Sequence, residues 1–127
     1  MAADRRSVSS GSPWEGPYGY ARAVAVGDSC WVSGTVDPSG EHPGDPAGQA
    51  RAAWAIVLRA LGDAGFDRTD VVRTRMYLTE AAHSAAVAEV HGEVFGEIRP
   101  ATTLIVVSAL IAPELLVEVE AEARRSG

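Results

Sequence analysis

The sequence predicts an α+β domain, with two helices on one face of a five-stranded sheet in the order β-β-α-β-α-β-β. Three observations carry that expectation. Two segments repeat apolar residues at helical spacing, five others are β-branched or alternate with period two, and 127 residues make one domain. Two helices cannot cover both faces of five strands, so they share one face and leave the other without helical cover.

Residues 1–17 mix Arg, Ser, Gly and Pro with no apolar run. They read as a flexible N-terminal arm anchored by Trp14, with 18–127 as a single domain. Tyr20 to Val26, the turn Gly27-Asp28, and Cys30 to Val36 form a β-hairpin. After a loop rich in Pro and Gly, Asp45-Pro46 supplies an N-cap and a first-turn proline. Ala50, Trp54, Val57, Leu58 and Leu61 then make one helical stripe, and Gly65 with Phe66 closes the helix. Val71 to Leu78 is a strand. Thr79 is placed to cap a second helix from about Glu80 to Phe95, which Gly96 and Pro100 end. Ala101 to Val107 is a β-branched strand, and Leu116 to Ala123 alternates with period two.

That alternation sorts the last strand into two faces. Val117, Val119 and Ala121 point one way, and Glu118, Glu120 and Glu122 the other. In the strand 71–78, Arg73, Arg75 and Tyr77 likewise oppose Thr74, Met76 and Leu78. The helix-free face therefore carries both signs of charge, as a solvated sheet face or as an interface where paired charges set register.

Composition excludes several classes of function. Seventeen acidic against eleven basic residues give a net charge of −6, which repels nucleic-acid backbones. All eleven bases are Arg, so Schiff-base lysines, pyridoxal phosphate attachment and the Walker lysine are ruled out. Cys30 is the single cysteine, an inert buried thiol by pattern, and fits a reducing, cytoplasmic setting. No run has the length or apolarity of a signal peptide or a membrane span. His83 and His91 stand eight apart, which is not metal-ligand spacing, and no cofactor motif is present.

Five strings in fixed order carry a family resemblance. They are Gly19-Tyr20-Ala21-Arg22-Ala23-Val24, Val32-Ser33-Gly34-Thr35, His91-Gly92-Glu93-Val94-Phe95, Arg99-Pro100-Ala101-Thr102-Thr103 and Leu116-Val117-Glu118-Val119-Glu120-Ala121. From about Gly19 to Arg124 the chain resembles the Rid family (reactive intermediate deaminases, also called the YjgF or L-PSP endoribonuclease family). The resemblance implies a chorismate-mutase-like fold, a homotrimer with sheets turned inward, and a small-molecule cleft at each subunit boundary. It also implies a cofactor-free hydrolase that turns enamines and imines into carbonyl compounds and ammonia. Some relatives carry a ribonuclease label, which the acidic surface argues against here.

Active deaminases of this family grip the substrate carboxylate with an arginine in a Pro-Ala-Arg string. Here that string reads Pro100-Ala101-Thr102. A hydroxyl supplies neither the charge nor the planar fork of a guanidinium, so the usual carboxylated 2-imino acids are not the expected substrates. The alternatives are a non-catalytic binding or regulatory trimer, and a pathway-specific enzyme of secondary metabolism on the same scaffold.

Carried over by resemblance, Glu118 matches the carboxylate that handles water, and Ser33 and Gly34 match the turn beside the substrate. Tyr20 matches the cleft tyrosine when counted back from Gly27; Gly16-Pro17-Tyr18 has the more usual letters but stands two residues out of step. Arg22 and Arg75 are the candidates to replace the lost cation. Thr102, Thr103 and His91 are candidate polar contacts, each with an ordinary structural role as the competing reading.

Overall fold

A computed structural model describes residues 4–126. Its strands and helices are β1 (Arg5–Val8), α1 (Glu15–Tyr18), β2 (Ala23–Val26), β3 (Ser29–Thr35), α2 (Pro46–Asp63), β4 (Val71–Leu78), α3 (Ser84–Phe95), β5 (Ala101–Val106) and β6 (Val117–Arg124). Single 3-10 turns precede β4 and α3. The six strands form one sheet in the order β1-β2-β3-β6-β4-β5. Only β4 and β5 run parallel, joined through α3, and the other pairs are antiparallel.

The hairpin turns where Gly27-Asp28 predicts it. Val26 pairs with Ser29 across a two-residue loop, and Gly27 adopts φ +57°, which suits a primed turn. Helix α2 starts as its cap predicts, with the Asp45 carboxylate accepting from the Gly48 N–H at 3.0 Å and Pro46 in the first turn. It ends in a full Schellman motif. The Phe66 N–H donates to the Leu61 carbonyl at 2.8 Å and the Gly65 N–H to the Gly62 carbonyl at 3.0 Å, with Gly65 at φ +88°.

The core lies between the sheet and the helices α2 and α3. Trp54, fully buried, meets Phe95 edge-on at 4.9 Å, and Val57, Leu61, Met76, Leu78, Val87, Val90, Val117 and Val119 fill the space around them. Leu58 of the expected stripe is only partly buried. Buried Gln49 ties two loops to this core. Its amide donates to the His42 and Glu114 carbonyls and accepts from the Leu116 N–H.

Three local expectations are corrected. The arm read as flexible contributes β1, paired with β2 from Arg5↔Val26 to Val8↔Ala23. Its sequence shows no apolar alternation; backbone pairing to the free edge of β2 holds it, with the Arg6 guanidinium donating to the Ala64 carbonyl at 3.0 Å. Trp14 is not the anchor, being 56% exposed; Glu15 is, through bonds from the Ser10 N–H and hydroxyl at 3.0 and 2.6 Å. Thr79 does not cap α3, because a 3-10 turn at Ala81–His83 delays the helix to Ser84. Gly96 keeps a right-handed conformation, and the left-handed residue before β5 is Arg99 at φ +56°.

The predicted division of faces holds. Val117, Val119, Ala121 and Ala123 are buried towards the helices, and Glu118, Glu120 and Glu122 are half-buried on the other side.

Candidate functional site

The β3–β6 ladder is broken at one place. Val32 pairs with Ala121 and Thr35 with Val119, so β3 carries one residue more than β6 over this stretch. Such a bulge bends the strand and re-aims side chains, and bulges concentrate beside functional sites. The residues in it are Ser33 and Gly34. Glu118, two residues from Glu120 on β6, lays its carboxylate against Gly34. A Cβ on Gly34 would sit 2.7 Å from Glu118 Oε2, so the absence of a side chain at position 34 makes room for the acid.

Among the described residues none donates a hydrogen bond to Glu118. Burial pushes its carboxyl above the usual carboxylate range, the neighbouring charge of Glu120 adds to this, and Arg22 pulls it back in part. Arg22 itself is fixed by its Nη1, which donates to the Gly34 carbonyl and to Thr35 Oγ1, both at 2.9 Å. Its guanidinium lies 5.8 Å from the centroid of the Tyr20 ring. The Ser33 hydroxyl donates to the Ala21 carbonyl at 2.6 Å, which pins the bulge to the segment that leads into β2.

These five residues line one open cavity of about 1240 Å³. The arm and α1 form another part of its wall, with Trp14 and Tyr18 stacked at 5.6 Å and 9°. Both Tyr18 and Tyr20 line the cavity, and Tyr20 is the one beside Arg22. The contribution of the arm to the wall escaped sequence reading because Ser, Gly and Pro give no periodic signal.

The remaining candidates fall into two other groups. Arg75 donates to Glu122 at 2.9 Å and to Glu120 at 3.5 Å, and Tyr77 closes the group through its hydroxyl on Glu120. These contacts hold the Arg75 guanidinium and the Tyr77 phenol more firmly protonated than usual. Thr102 and His91 lie towards the helices. Thr74 Oγ1 bonds both His91 Nε2 and Thr102 Oγ1 at 2.8 Å, and the His91 ring meets Trp54 at 5.7 Å. Burial lowers the His91 pKa, favouring the neutral imidazole. Thr103, on the opposite side of β5, accepts from Arg73 at 2.6 Å. Thus Tyr20, Arg22, Ser33, Gly34 and Glu118 come together within one chain, and Thr102, Thr103, His91 and Arg75 do not join them.

Among the described residues no cluster of three or more potential metal ligands occurs, and no helix is long and apolar enough to cross a membrane.

A bulged strand presenting Ser-Gly to a glutamate, in an α+β domain of this strand order, defines the class. The chain belongs to the endoribonuclease L-PSP family, whose model matches residues 15–125. It is similar to an uncharacterized protein of Streptomyces coelicolor, with 42% identity over 123 residues, 94% of this chain and 92% of the relative. It is also similar to the 3-aminoacrylate deaminase RutC of Acinetobacter baylyi, with 31% identity over 104 residues, 79% of this chain and 82% of that protein. Among solved structures, a member of the YjgF/YER057c/UK114 family from Mycobacterium tuberculosis superposes with a TM-score of 0.90. That likeness has 48% identity and covers 96% of this chain and 100% of the other. The resemblance read from the five strings is thereby established, and with it the α+β fold.

Proposed function

We propose that the protein hydrolyses a small enamine or imine to a carbonyl compound and ammonia, with Glu118 as its acid–base group. One observation carries this reading. A desolvated carboxylate with no hydrogen-bond partner among the described residues faces a cavity shared with Tyr20, Arg22, Ser33 and Gly34. A structural carboxylate would be paired, as Glu120 and Glu122 are.

The chemistry needs no cofactor. An enamine takes a proton on carbon and gives one up from nitrogen, becoming the imine. Glu118 then takes a proton from water as the water oxygen bonds to the imine carbon, and returns it to nitrogen. In the resulting carbinolamine the hydroxyl gives its proton, again through Glu118, to nitrogen as the carbon–nitrogen bond breaks, so that ammonia leaves and a carbonyl remains. One water is consumed for each ammonia released. A carboxyl whose pKa is raised towards neutrality serves both directions of transfer better than an ordinary one. The absence of a guanidinium at position 102 removes the usual family grip on 2-imino acids, so selectivity falls to another group.

The active unit is a homotrimer of the cytoplasm whose clefts lie between subunits. Supporting this, β5 is an edge strand whose Ile105 and Val106 are 44% and 50% exposed, with Ile111 at 88%. Thr102 and His91 at that edge would then approach Glu118 of a neighbouring copy.

The test is acceleration of imine hydrolysis above the buffer rate, using imines without a carboxylate generated in place by an amine oxidase, beside the 2-imino acids that an amino-acid oxidase supplies and that are expected to be turned over poorly. Light scattering is expected to give three times the 13.3 kDa chain mass. A trimer that binds such compounds without turning them over would favour a regulatory binding protein instead.

A further inference from the structure

We propose that Trp14, with Tyr18 stacked beside it, determines the specificity of this cleft, and that the ligand facing Glu118 carries an aromatic ring lying on Trp14. The proposal rests on the hydrolase reading for the reacting group and adds the class of substrate, an imine or enamine with an aryl substituent.

Apolar area left in water is concentrated in this cavity. Trp14 and Tyr18 are each more than half exposed, Tyr20 and Ile111 are exposed as well, and all four line the space that Glu118 faces. The other exposed large apolar side chains of the described residues, Trp31, Val72, Ile105 and Val106, lie outside it. A contiguous apolar patch marks a binding surface, whereas single exposed residues are ordinary.

The aromatic pair is held in place by the fold of the arm. Trp14 and Tyr18 stand four apart across the single turn of α1, so their side chains fall on one face. The Tyr18 N–H donates to the Trp14 carbonyl at 3.0 Å, and the two rings stack with planes 9° apart. Buried Glu15 locks the turn: its carboxylate accepts from Ser10, and its carbonyl accepts from the Tyr20 N–H at 3.0 Å. At the start of the arm the Val8 carbonyl accepts from the Arg22 N–H at 2.8 Å. The arm is thus tied at both ends to the segment that carries Tyr20 and Arg22. Rings fixed in this way have little freedom to lose when a ligand binds.

The chemistry of the wall selects the occupant. Two nearly parallel rings offer a flat π surface, against which an aromatic ring makes more contact than a branched aliphatic chain does. A sugar or a nucleobase needs polar groups to read its edges, but the serines of the arm are used in its own fold. The Ser9 and Ser12 oxygens accept from the Gly11 and Trp14 N–H groups, and the Ser10 hydroxyl donates to Glu15. The net charge of −6 also disfavours the phosphates of a nucleotide. With threonine at position 102, burial of a ring is a source of binding energy that does not depend on a carboxylate.

The experiment titrates the protein with phenylacetamide, an unreactive uncharged amide that carries a ring, and with butyramide, which has the same head and no ring, by calorimetry or NMR. Phenylacetamide is expected to bind at least about ten-fold more tightly, and Trp14→Ala to remove that advantage while leaving butyramide within about two-fold. Phenylacetamide that binds no more tightly than butyramide, or that binds Trp14→Ala as well as wild type, overturns the proposal. So does a Trp14→Ala protein of lower mass than wild type by light scattering, because the indole then packs against a second copy of the chain. Should Trp14→Ala disturb the arm, wild-type protein answers through intermolecular NOEs. Contacts between the phenylacetamide ring and the Trp14 indole are expected, and their absence at saturation overturns the proposal. Failure of the hydrolase reading looks different: phenylacetamide binds through Trp14, which supports the aromatic subsite, while the imine that an amine oxidase generates from phenethylamine is not turned over.

Discussion

Glu118 and Glu120 sit two residues apart on one strand and point from the same face, yet their surroundings differ in kind. Glu120 stands in a regular ladder opposite Arg75, accepts from Arg75 and Tyr77, and shares the guanidinium with Glu122. Glu118 stands beside the β3 bulge, against a glycine, with burial raising its pKa and no hydrogen bond from the described residues to lower it. Regular pairing supplies each polar group with a partner, and an irregularity of one residue leaves a group without one. In this sheet the unsatisfied group, more than the charged patch around it, marks the candidate site.

The largest expected effect separates these two acids by chemistry. Glu118→Gln keeps shape and removes charge and basicity, so imine hydrolysis should fall about 10²–10⁴-fold while the protein stays folded. Glu120→Gln should leave the rate within about ten-fold, below what loss of an acid–base group costs. Equal loss in both variants, measured as kcat/KM, would erase the distinction drawn here.

Next in size is the glycine that admits the carboxylate. A Cβ at position 34 would lie 2.7 Å from Glu118 Oε2, and the flexible end of the glutamate is what yields. Gly34→Ala should therefore fold and lose roughly 10²-fold in rate, the scale set by an ångström of misplacement of a reacting group. A variant with unchanged kcat/KM would mean that the acid does not act from this position.

How much of this was legible in the sequence follows from which signals are local. Helix α2 was readable because Asp45, Pro46, Gly65 and the apolar stripe all speak through neighbours a few residues away. The two faces of β6 were readable because alternation is strict. Strand β1 was not, since Arg5–Val8 is ordered by pairing with β2, a contact that its own residues do not announce. The grouping of Arg22 with Glu118 was also hidden. It depends on a β3 bulge and on the pairing of β3 with β6, about ninety residues further along the chain. Thr102 shows the same limit from the other side: resemblance placed it in a cleft, while within one chain its hydroxyl turns to Thr74 on the helix side.

A smaller effect concerns stability in the regular ladder. Arg75→Gln leaves Glu120 and Glu122 facing each other without their shared cation. These groups are about one-third exposed, so solvent screens much of the loss. About 0.2–1 kcal/mol is expected, a fall in Tm of roughly 1–5 °C, diminishing in high salt. Thermal melts at low and high ionic strength check this, and a catalytic defect larger than the stability defect would put Arg75 back among the cleft residues.

The smallest effect tests the unpaired state of Glu118 directly, without any substrate. Its carboxyl is raised in the folded chain above the ordinary 4.5, chiefly by burial. The native state therefore holds this proton to higher pH than the unfolded chain does. The slope of unfolding free energy with pH follows the protons bound by the unfolded state less those bound by the native state, so for this group it is negative. Below the unfolded pKa both forms are protonated and Glu118 costs nothing. As pH rises from about 4.5 through the raised value, the native state loses stability on account of this residue, and above it the loss stays constant. Glu118→Gln removes the titration. The Tm of the variant minus that of the wild type should accordingly grow from acid towards neutral pH and then level off. A difference for Glu118→Gln that is flat, or that shrinks as pH rises, would show the carboxylate to be paired in solution, and the contrast between the two acids would not survive it.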